Sequence, residues 1–290
     1  MSTANDGPSA PDHGRQAELD ALFGSEAGYW SELYAGSDVL AIVHRYRTSL
    51  ALRWVDELRL PAASRVLEVG CGAGILSMEL AGRAFDVEAT DPVGAMLERA
   101  RARAAQAGVA DHIRFSPADV HDLDFDDGAF DLVVGLGVLP WIDRPEAALA
   151  EMARVLAPGG HLIVSTNNRS PLHVLADPAR LPALAPLRDT ARSVVASVRG
   201  RGRAPEHRAR PITFATPWEL APRLEDGGLR LVRSQAFGFG PFTLLGRQVL
   251  PGRAGVDLEE RLQLRAEGSH ALDRLAAQYL VLARREGAGS

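Results

Sequence analysis

The run Val66 to Gly74, VLEVGCGAG, restricts the possible folds of this 290-residue chain more than any other stretch. Alternation puts Val66 and Glu68 on one face of an extended segment and Leu67 and Val69 on the other. The run therefore reads as a mostly buried strand that delivers Glu68, Gly70, Gly72 and Gly74 to its carboxyl end. Glycine has no Cβ and tolerates positive φ, so the turn can be tight and a ligand can lie against bare backbone. A helix starting after Gly74, with Ile75, Leu76, Met78 and Leu80, would aim its free N–H groups at that ligand. Strand, glycine turn and helix in this order make a cofactor cradle.

The following chain supplies the other layers of an α/β sheet. Phe85 to Thr90 reads as a second strand ending at Asp91, an acid suited to accept hydrogen bonds from both hydroxyls of a ribose. Asp91 fits the ribose of a dinucleotide as well as that of another adenosyl cofactor. Ile113 to Ser116 and Phe130 to Val134 read as the third and fourth strands. Pro145 starts a helix burying Ala148, Leu149, Met152 and Leu156, Pro158, Gly159 and Gly160 turn the chain, and His161 to Ser165 is the fifth strand. Strands alternating with helices predict a parallel, right-handed, doubly wound sheet.

The glycine spacing separates two cofactor classes. A dinucleotide cradle requires G-x-G-x-x-G, and this chain has Ile75 where the third glycine should stand. It has instead Glu68, Gly70, Gly72 and Gly74, an E-x-G-x-G-x-G arrangement that resembles motif I of the class I S-adenosylmethionine (SAM)-dependent methyltransferases. The resemblance extends through DPVGAML after the second strand, PADV after the third, and RVLAPGG before the fifth, and so spans Val66 to Thr166. On this pattern the chain is identified as a class I, type 11-like small-molecule methyltransferase. The resemblance implies a seven-stranded Rossmann-like sheet whose last strand is antiparallel, with N-terminal helices and an inserted cap. It also implies SAM as cofactor, held by Glu68, Gly70, Cys71, Gly72, Gly74, Asp91, Pro92, Met96, Asp119, Val120 and Gly135. In that assignment Asp91 takes the ribose, Asp119 the adenine amino group, and Met96 and Val120 pack on the ring. Cys71, the middle letter of G-C-G, has a small packing role there.

Residues 1–14, rich in Ser, Pro, Asp and Gly, are expected to be a disordered tail, followed by a helical segment over 15–60 that covers the cofactor and lines the substrate cleft. The cofactor-binding core runs over 61–166, a cap insertion over 167–212, and 213–290 completes the core and adds a substrate loop. In that last part Thr216, Pro217 and Glu219 read as a helix start, and Arg230 to Phe237 and Ala277 to Arg284 as the sixth and seventh strands. A further helix is expected over Leu258 to Glu267. Tyr34, Tyr46 and Arg47 are plausible acceptor contacts, although an aromatic stripe at helical spacing is ordinarily core. Trp141, Phe239 and Phe242 are further acceptor-side candidates, with core packing as the alternative for each.

No catalytic residue is assigned. Where some relatives carry a histidine or acid after the fourth strand, this chain has Leu139, Pro140 and Trp141, which leaves the loop residue His173 as the best-placed base. SAM chemistry tolerates the absence of a base, because alignment of the acceptor supplies much of the rate. A net charge of −5 gives no overall attraction to nucleic acid, and neither the run Asp122, Asp124, Asp126 and Asp127 nor the histidines have metal-ligand spacing. The arginines between Arg199 and Arg210 would draw an anionic acceptor or simply form a solvated loop. One cysteine excludes an internal disulfide, and the absence of a leader pattern or an 18-residue apolar run leads to the expectation of a cytoplasmic protein, monomer or homodimer. The expected reaction is methyl transfer to a small, largely apolar or aromatic metabolite, at oxygen. The alternative is a SAM-fold protein that does not methylate: a cyclase or decarboxylase using the cofactor as scaffold, or a binding regulator.

Overall fold

Strand β1 (Arg65–Val69) lies mid-sheet with Val66, Leu67, Glu68 and Val69 all buried, as a strand covered on both faces must be. It pairs in parallel with β2 (Asp86–Thr90) on one side and β4 (Phe130–Gly135) on the other. On the outer sides, β3 (Ile113–Ser116) joins β2 and β5 (Leu156–Asn167) joins β4, again in parallel. β9 (Gln278–Arg285) runs antiparallel between β5 and β6 (Leu229–Phe237). The strand order β3-β2-β1-β4-β5-β9-β6 is the seven-stranded sheet that the family resemblance implies, and a hairpin of β7 (Thr243–Leu244) and β8 (Arg247–Gln248) stands apart from it. This computed structural model describes residues 13–287 apart from 33, 35, 179–210, 212–213, 246, 251 and 267–268.

The alternation within each strand divides the interior into two layers. Val66, Val87, Leu132 and Ile163 point to the layer covered by α3 (Val39–Leu58), α4 (Ile75–Ala81) and α5 (Gly94–Ala107). Leu67, Val69, Val133 and Leu162 point to the opposite layer, closed by α6 (Pro145–Val155) and α8 (Pro217–Asp226). Met152 is fully buried there, and its truncation to alanine would cost about 2–5 kcal/mol. α8 starts where its sequence says: Thr216 and Glu219 form a reciprocal capping box, with Pro217 in the first turn. Asp38 caps α3 by accepting from the Ala41 N–H at 2.8 Å. Among the described residues no helix is long and apolar enough to cross a membrane.

Several boundaries differ from expectation. α1 (His13–Ser25) begins inside the segment expected to be a tail and is followed by α2 (Ala27–Glu32); residues 1–12 lie outside the described part. β5 starts at Leu156 and carries Pro158, Gly159 and Gly160 within its length, absorbing them by a register shift against β4 between Phe130 and Leu132. α7 (Leu172–Leu175) opens the expected cap, most of which, including every arginine from Arg199 to Arg210, lies outside the described residues. α9 (Arg253–Ala266) begins ahead of the expected Leu258 and precedes the short α10 (His270–Asp273).

Candidate active site

The connections from β1 and β4 leave the sheet next to each other, and beyond their carboxyl ends lies a cavity of about 390 Å³ roofed by α1, α2 and α3. Glu68, Gly70, Cys71 and Gly72 line its floor. Gly70 sits at φ 65°, and a Cβ there would lie 2.5 Å from Val138 Cγ2, so any side chain would be strained and would have to displace Val138. Gly74 has a different duty. It ends the turn at φ 77°, and its missing Cβ lets α4 approach α5, since a Cβ would lie 2.9 Å from that of Ala100.

The turn is tied to the end of β2. Cys71 N–H donates to Thr90 O at 2.9 Å, and Gly72 N–H donates to Asp91 Oδ2 at 2.8 Å. Asp91 Oδ1 accepts from Val93 N–H at 2.9 Å. Each carboxylate oxygen of Asp91 has a second lone pair left for a donor in the cavity. Burial pushes the Asp91 carboxyl above its ordinary range, opposed by these two N–H groups, and nearby Asp20 adds to the rise. Glu68 is more perturbed: burial drives it up to about 8, although it accepts from Ser77 Oγ at 2.5 Å and feels the positive charge of Arg47. Burial also pushes the Cys71 thiol up, which excludes it as a resting thiolate nucleophile.

The roof contributes one stripe of α3. Leu40, His44, Arg47 and Thr48, spaced by one and two turns, face the cavity, while Val39, Val43, Leu50 and Trp54 pack into the interior. Arg47 is 6% exposed, and its Nη2 donates to Tyr34 Oη at 3.1 Å. Its Nε has no hydrogen-bond partner, and among the described residues it makes no ion pair. Gly137 makes room for it, since a Cβ there would lie 2.8 Å from Arg47 Nη1. From α1, Gln16, Asp20 and Phe23 reach the cavity. Phe23 meets Trp141 edge-on at 5.2 Å and Trp30 at 5.4 Å, a cluster that fastens α1 and α2 to the loop after β4.

Of the residues expected at the site, Glu68, Gly70, Cys71, Gly72, Asp91, Pro92, Met96, Tyr34 and Trp141 line this cavity. Others do not. Gly135 is inside β4, where a Cβ would lie 3.0 Å from Val69 Cγ2, and the glycine that reaches the cavity is Gly137, two residues on. Asp119 and Val120 stand outside the lining, Asp119 close enough to Asp20 for their charges to interact. Asp119 Oδ1 accepts from the backbone N–H of His121 at 2.9 Å and lies 2.6 Å from its Nδ1. Burial raises the Asp119 carboxyl, but these His121 contacts outweigh it and hold the group below its ordinary value.

Tyr46 points into the interior instead, its hydroxyl accepting from Gln235 and Gln263 at 3.1 and 3.2 Å. Phe239 is fully buried in a satellite core with Ala266, Ala276 and Tyr279, against which Phe242 packs, and His173 sits on α7; all three are apart from the cavity. The sequence reading missed Gln16, Asp20, Phe23, His44 and Gly137. For His44 the signal was present: it is a polar residue four after Leu40 and three before Arg47 on one helical face.

The described pieces fit SAM. Bare backbone at Gly72, with nothing within 4 Å of a would-be Cβ, an acid with free lone pairs at the tip of β2, and a buried guanidinium without an ion-pair partner among the described residues match its amino-acid portion, ribose and carboxylate. Known proteins resemble the chain over this region. A family described as a methyltransferase domain matches residues 67–164. The ubiquinone biosynthesis O-methyltransferase of Xanthomonas axonopodis pv. citri is 33% identical over 157 residues, covering 54% of this chain and 63% of that protein. Its namesake from Bordetella avium is 32% identical over 173 residues, covering 59% and 69%. About a third of each relative's own length is therefore unmatched. Among solved structures, the magnesium protoporphyrin IX methyltransferase of Synechocystis PCC 6803 superposes with a TM-score of 0.60 at 18% identity, covering 93% of this chain and 100% of that one. The [4+2]-cyclase SpnF superposes at 0.59 with 17% identity, covering 94% and 97%. These two likenesses are of fold alone. With the glycine turn, the sheet order and the relatives in agreement, the chain belongs to the class I S-adenosylmethionine-dependent methyltransferases, and S-adenosylmethionine is its cofactor.

Proposed function

We propose that this chain transfers a methyl group from SAM to an oxygen of a small, largely apolar or aromatic metabolite. The observation that carries the cofactor half of the reading is Arg47, a buried guanidinium without an ion-pair partner among the described residues, at the wall between the glycine turn and the loop after β4. A buried cation in such a place requires an anion, and the methionine carboxylate of the cofactor is the nearest chemical match. When bound, SAM supplies an electrophilic methyl carbon on a sulfonium whose leaving group is a neutral thioether.

The chain's own residues then have separable tasks. Asp91 holds the ribose through its remaining lone pairs, Met96 and Val93 offer apolar contact to the base, and Asp119 stands next to Asp20 at the same end. Glu68 closes the floor beneath the amino-acid portion. α1 to α3 exclude water, and the segment 167–212 selects the acceptor. Leu40, Leu136, Val138, Trp30 and Tyr34 give the remaining wall its apolar and aromatic character. The O-methyltransferase names of the curated relatives favour oxygen as the methylated atom.

The test is turnover of labelled SAM with a panel of phenols, carboxylic acids, amines and carbon acids, following S-adenosylhomocysteine (SAH). Release driven by phenols or carboxylic acids supports the reading, and release driven by amines or carbon acids alone overturns the assignment to oxygen. Binding of SAH without methylation of any acceptor would favour the scaffold role.

A further inference from the structure

We infer that Asn167 and Gln278 form a paired-carboxamide anchor for the acceptor. The acceptor it fits is neutral and carries adjacent hydrogen-bond donor and acceptor groups, as a phenol with an ortho carboxamide does. This rests on the oxygen-methylating reading above and narrows its substrate class. Asn167 is the last residue of β5 and Gln278 the first of β9, and the two are direct partners on the antiparallel ladder. Residues so paired have Cβ atoms about 5 Å apart on one face of a sheet. Both line the cavity and both are only half-buried, so a ligand there can reach them.

Their neighbours fix the face they share. Alternation along β5 puts Asn167 with Ile163 and Ser165, and along β9 it puts Gln278 with Leu280 and Leu282. Ile163, Leu280 and Leu282 belong to the layer under α3, and Ser165 Oγ accepts at 2.7 Å from the N–H of Gly137, itself on the cavity wall. The two amides therefore continue that face beyond the end of the core, on the side that α3 covers. Adjacent polar residues are spent inside the protein. Thr166 Oγ1 donates to Ala215 O at 3.0 Å, and Asn168 Nδ2 donates to the carbonyls of Arg274 and Ala276 at 2.8 Å, which clamps the start of β9 to the end of β5. The side chains of Asn167 and Gln278 have no hydrogen-bond partner among the described residues.

Their place in the sheet assigns them to the acceptor. Asp91 follows β2 and the glycine turn follows β1, so the nucleoside end of the cavity lies on that side. β5 and β9 lie beyond β4, two and three strand spacings from β1, or about 10 and 14 Å. Two carboxamides offer four N–H donors and two carbonyl acceptors, so they match a group that both gives and takes hydrogen bonds. They carry no charge. The one arginine among the described residues lining the cavity is Arg47, matched above to the carboxylate of the cofactor, whereas Asp20, Glu68 and Asp91 line the same space. An anionic acceptor would meet carboxyl groups there and no second cation among the described residues.

The test uses the full chain saturated with SAH and titrated calorimetrically with 2-hydroxybenzamide, 2-hydroxybenzoate and 2-methylphenol, which share a phenol ring and differ in the ortho group. The wild-type complex is expected to bind the amide about tenfold or more tighter than either of the others. Asn167→Leu and Gln278→Met keep the bulk and remove the hydrogen bonds. Each is expected to cut the preference about threefold, and the double variant to bring the amide within about threefold of 2-methylphenol. Affinities for 2-methylphenol and for SAH should stay within about twofold of wild type, which also reports that the variants fold. A variant that loses SAH is replaced by Asn167→Ala or Gln278→Ala, with the same expectation. A wild-type complex that binds the amide no more tightly than 2-methylphenol overturns the anchor and leaves oxygen methylation standing, and so does a preference that survives in the double variant. Tighter binding of 2-hydroxybenzoate than of the amide overturns the neutral substrate class. Failure of the oxygen reading shows separately, as methylation of amines or carbon acids alone in the turnover panel, and failure of the wild-type chain to bind SAH overturns both this inference and the cofactor reading beneath it.

Discussion

Replacing Asp91 by alanine separates cofactor recognition from folding. The side chain is 7% exposed, and its two oxygens accept from Gly72 N–H at 2.8 Å and Val93 N–H at 2.9 Å. One lone pair on each oxygen is left for a ribose hydroxyl. Two hydrogen bonds to a charged acceptor, at about 1.5–2 kcal/mol each, give a loss of about 3–4 kcal/mol, or roughly 10²- to 10³-fold in affinity for SAH. Folding should respond far less. The variant loses two backbone contacts but also the cost of burying a carboxylate, visible in its raised pKa, so the expected change is about 1–2 kcal/mol or smaller. Calorimetric titration with SAH gives the first quantity and urea unfolding the second. A folded Asp91→Ala chain binding SAH within about threefold of wild type would refute the reasoning.

Glu68 predicts a pH dependence. Its folded value of about 8 lies above its ordinary 4.5, so the folded state retains a proton that the unfolded chain has released, and stability falls as pH rises through that window. Unfolding of the ligand-free protein should show this decline, at up to about 1.4 kcal/mol per pH unit, and Glu68→Gln should flatten it; an unchanged slope in the variant contradicts the burial argument. Gly70→Ala places a Cβ 2.5 Å from Val138 Cγ2 at φ 65°, which should cost about 2–4 kcal/mol in urea unfolding, and a variant as stable as wild type would show that the turn relaxes freely. Arg47→Met keeps the aliphatic bulk and removes the charge; SAH affinity should fall about 10- to 100-fold, and the Glu68 carboxyl should titrate higher by NMR because a stabilising cation has gone. Phe23→Ala breaks the contact with Trp141 and should speed SAH dissociation in stopped-flow measurements, whereas an unaltered rate would mean that α1 does not limit release.

What could be read in advance was local. Glu68, Gly70 and Gly72 follow a strand directly, so their position depends on a few consecutive torsions, and Asp91 is carried to the same edge by the adjacent parallel strand. The strand order with β9 inserted antiparallel came from family resemblance instead, because no local pattern distinguishes an inserted last strand from an edge strand. Residues whose role depends on helix rotation were harder to place. Tyr46 and Arg47 are neighbours on α3, yet about 100° of rotation sends Tyr46 to Gln263 in the interior and Arg47 to the cavity. Phe239 is apolar in a glycine-rich loop, which suits an acceptor pocket and a satellite core equally, and only the packing of α9 shows that it belongs to the core. Asp20 could not be found from the sequence, since it joins the site only when α1 folds back over the end of β2.

A crystal structure of the full chain with SAH tests the central claim most directly. The account predicts the ribose hydroxyls on Asp91, the base near Met96 and the carboxylate on Arg47, with the sulfur above the backbone at Gly72. A nucleoside seated elsewhere, or one in the cavity with its carboxylate away from Arg47, would contradict it.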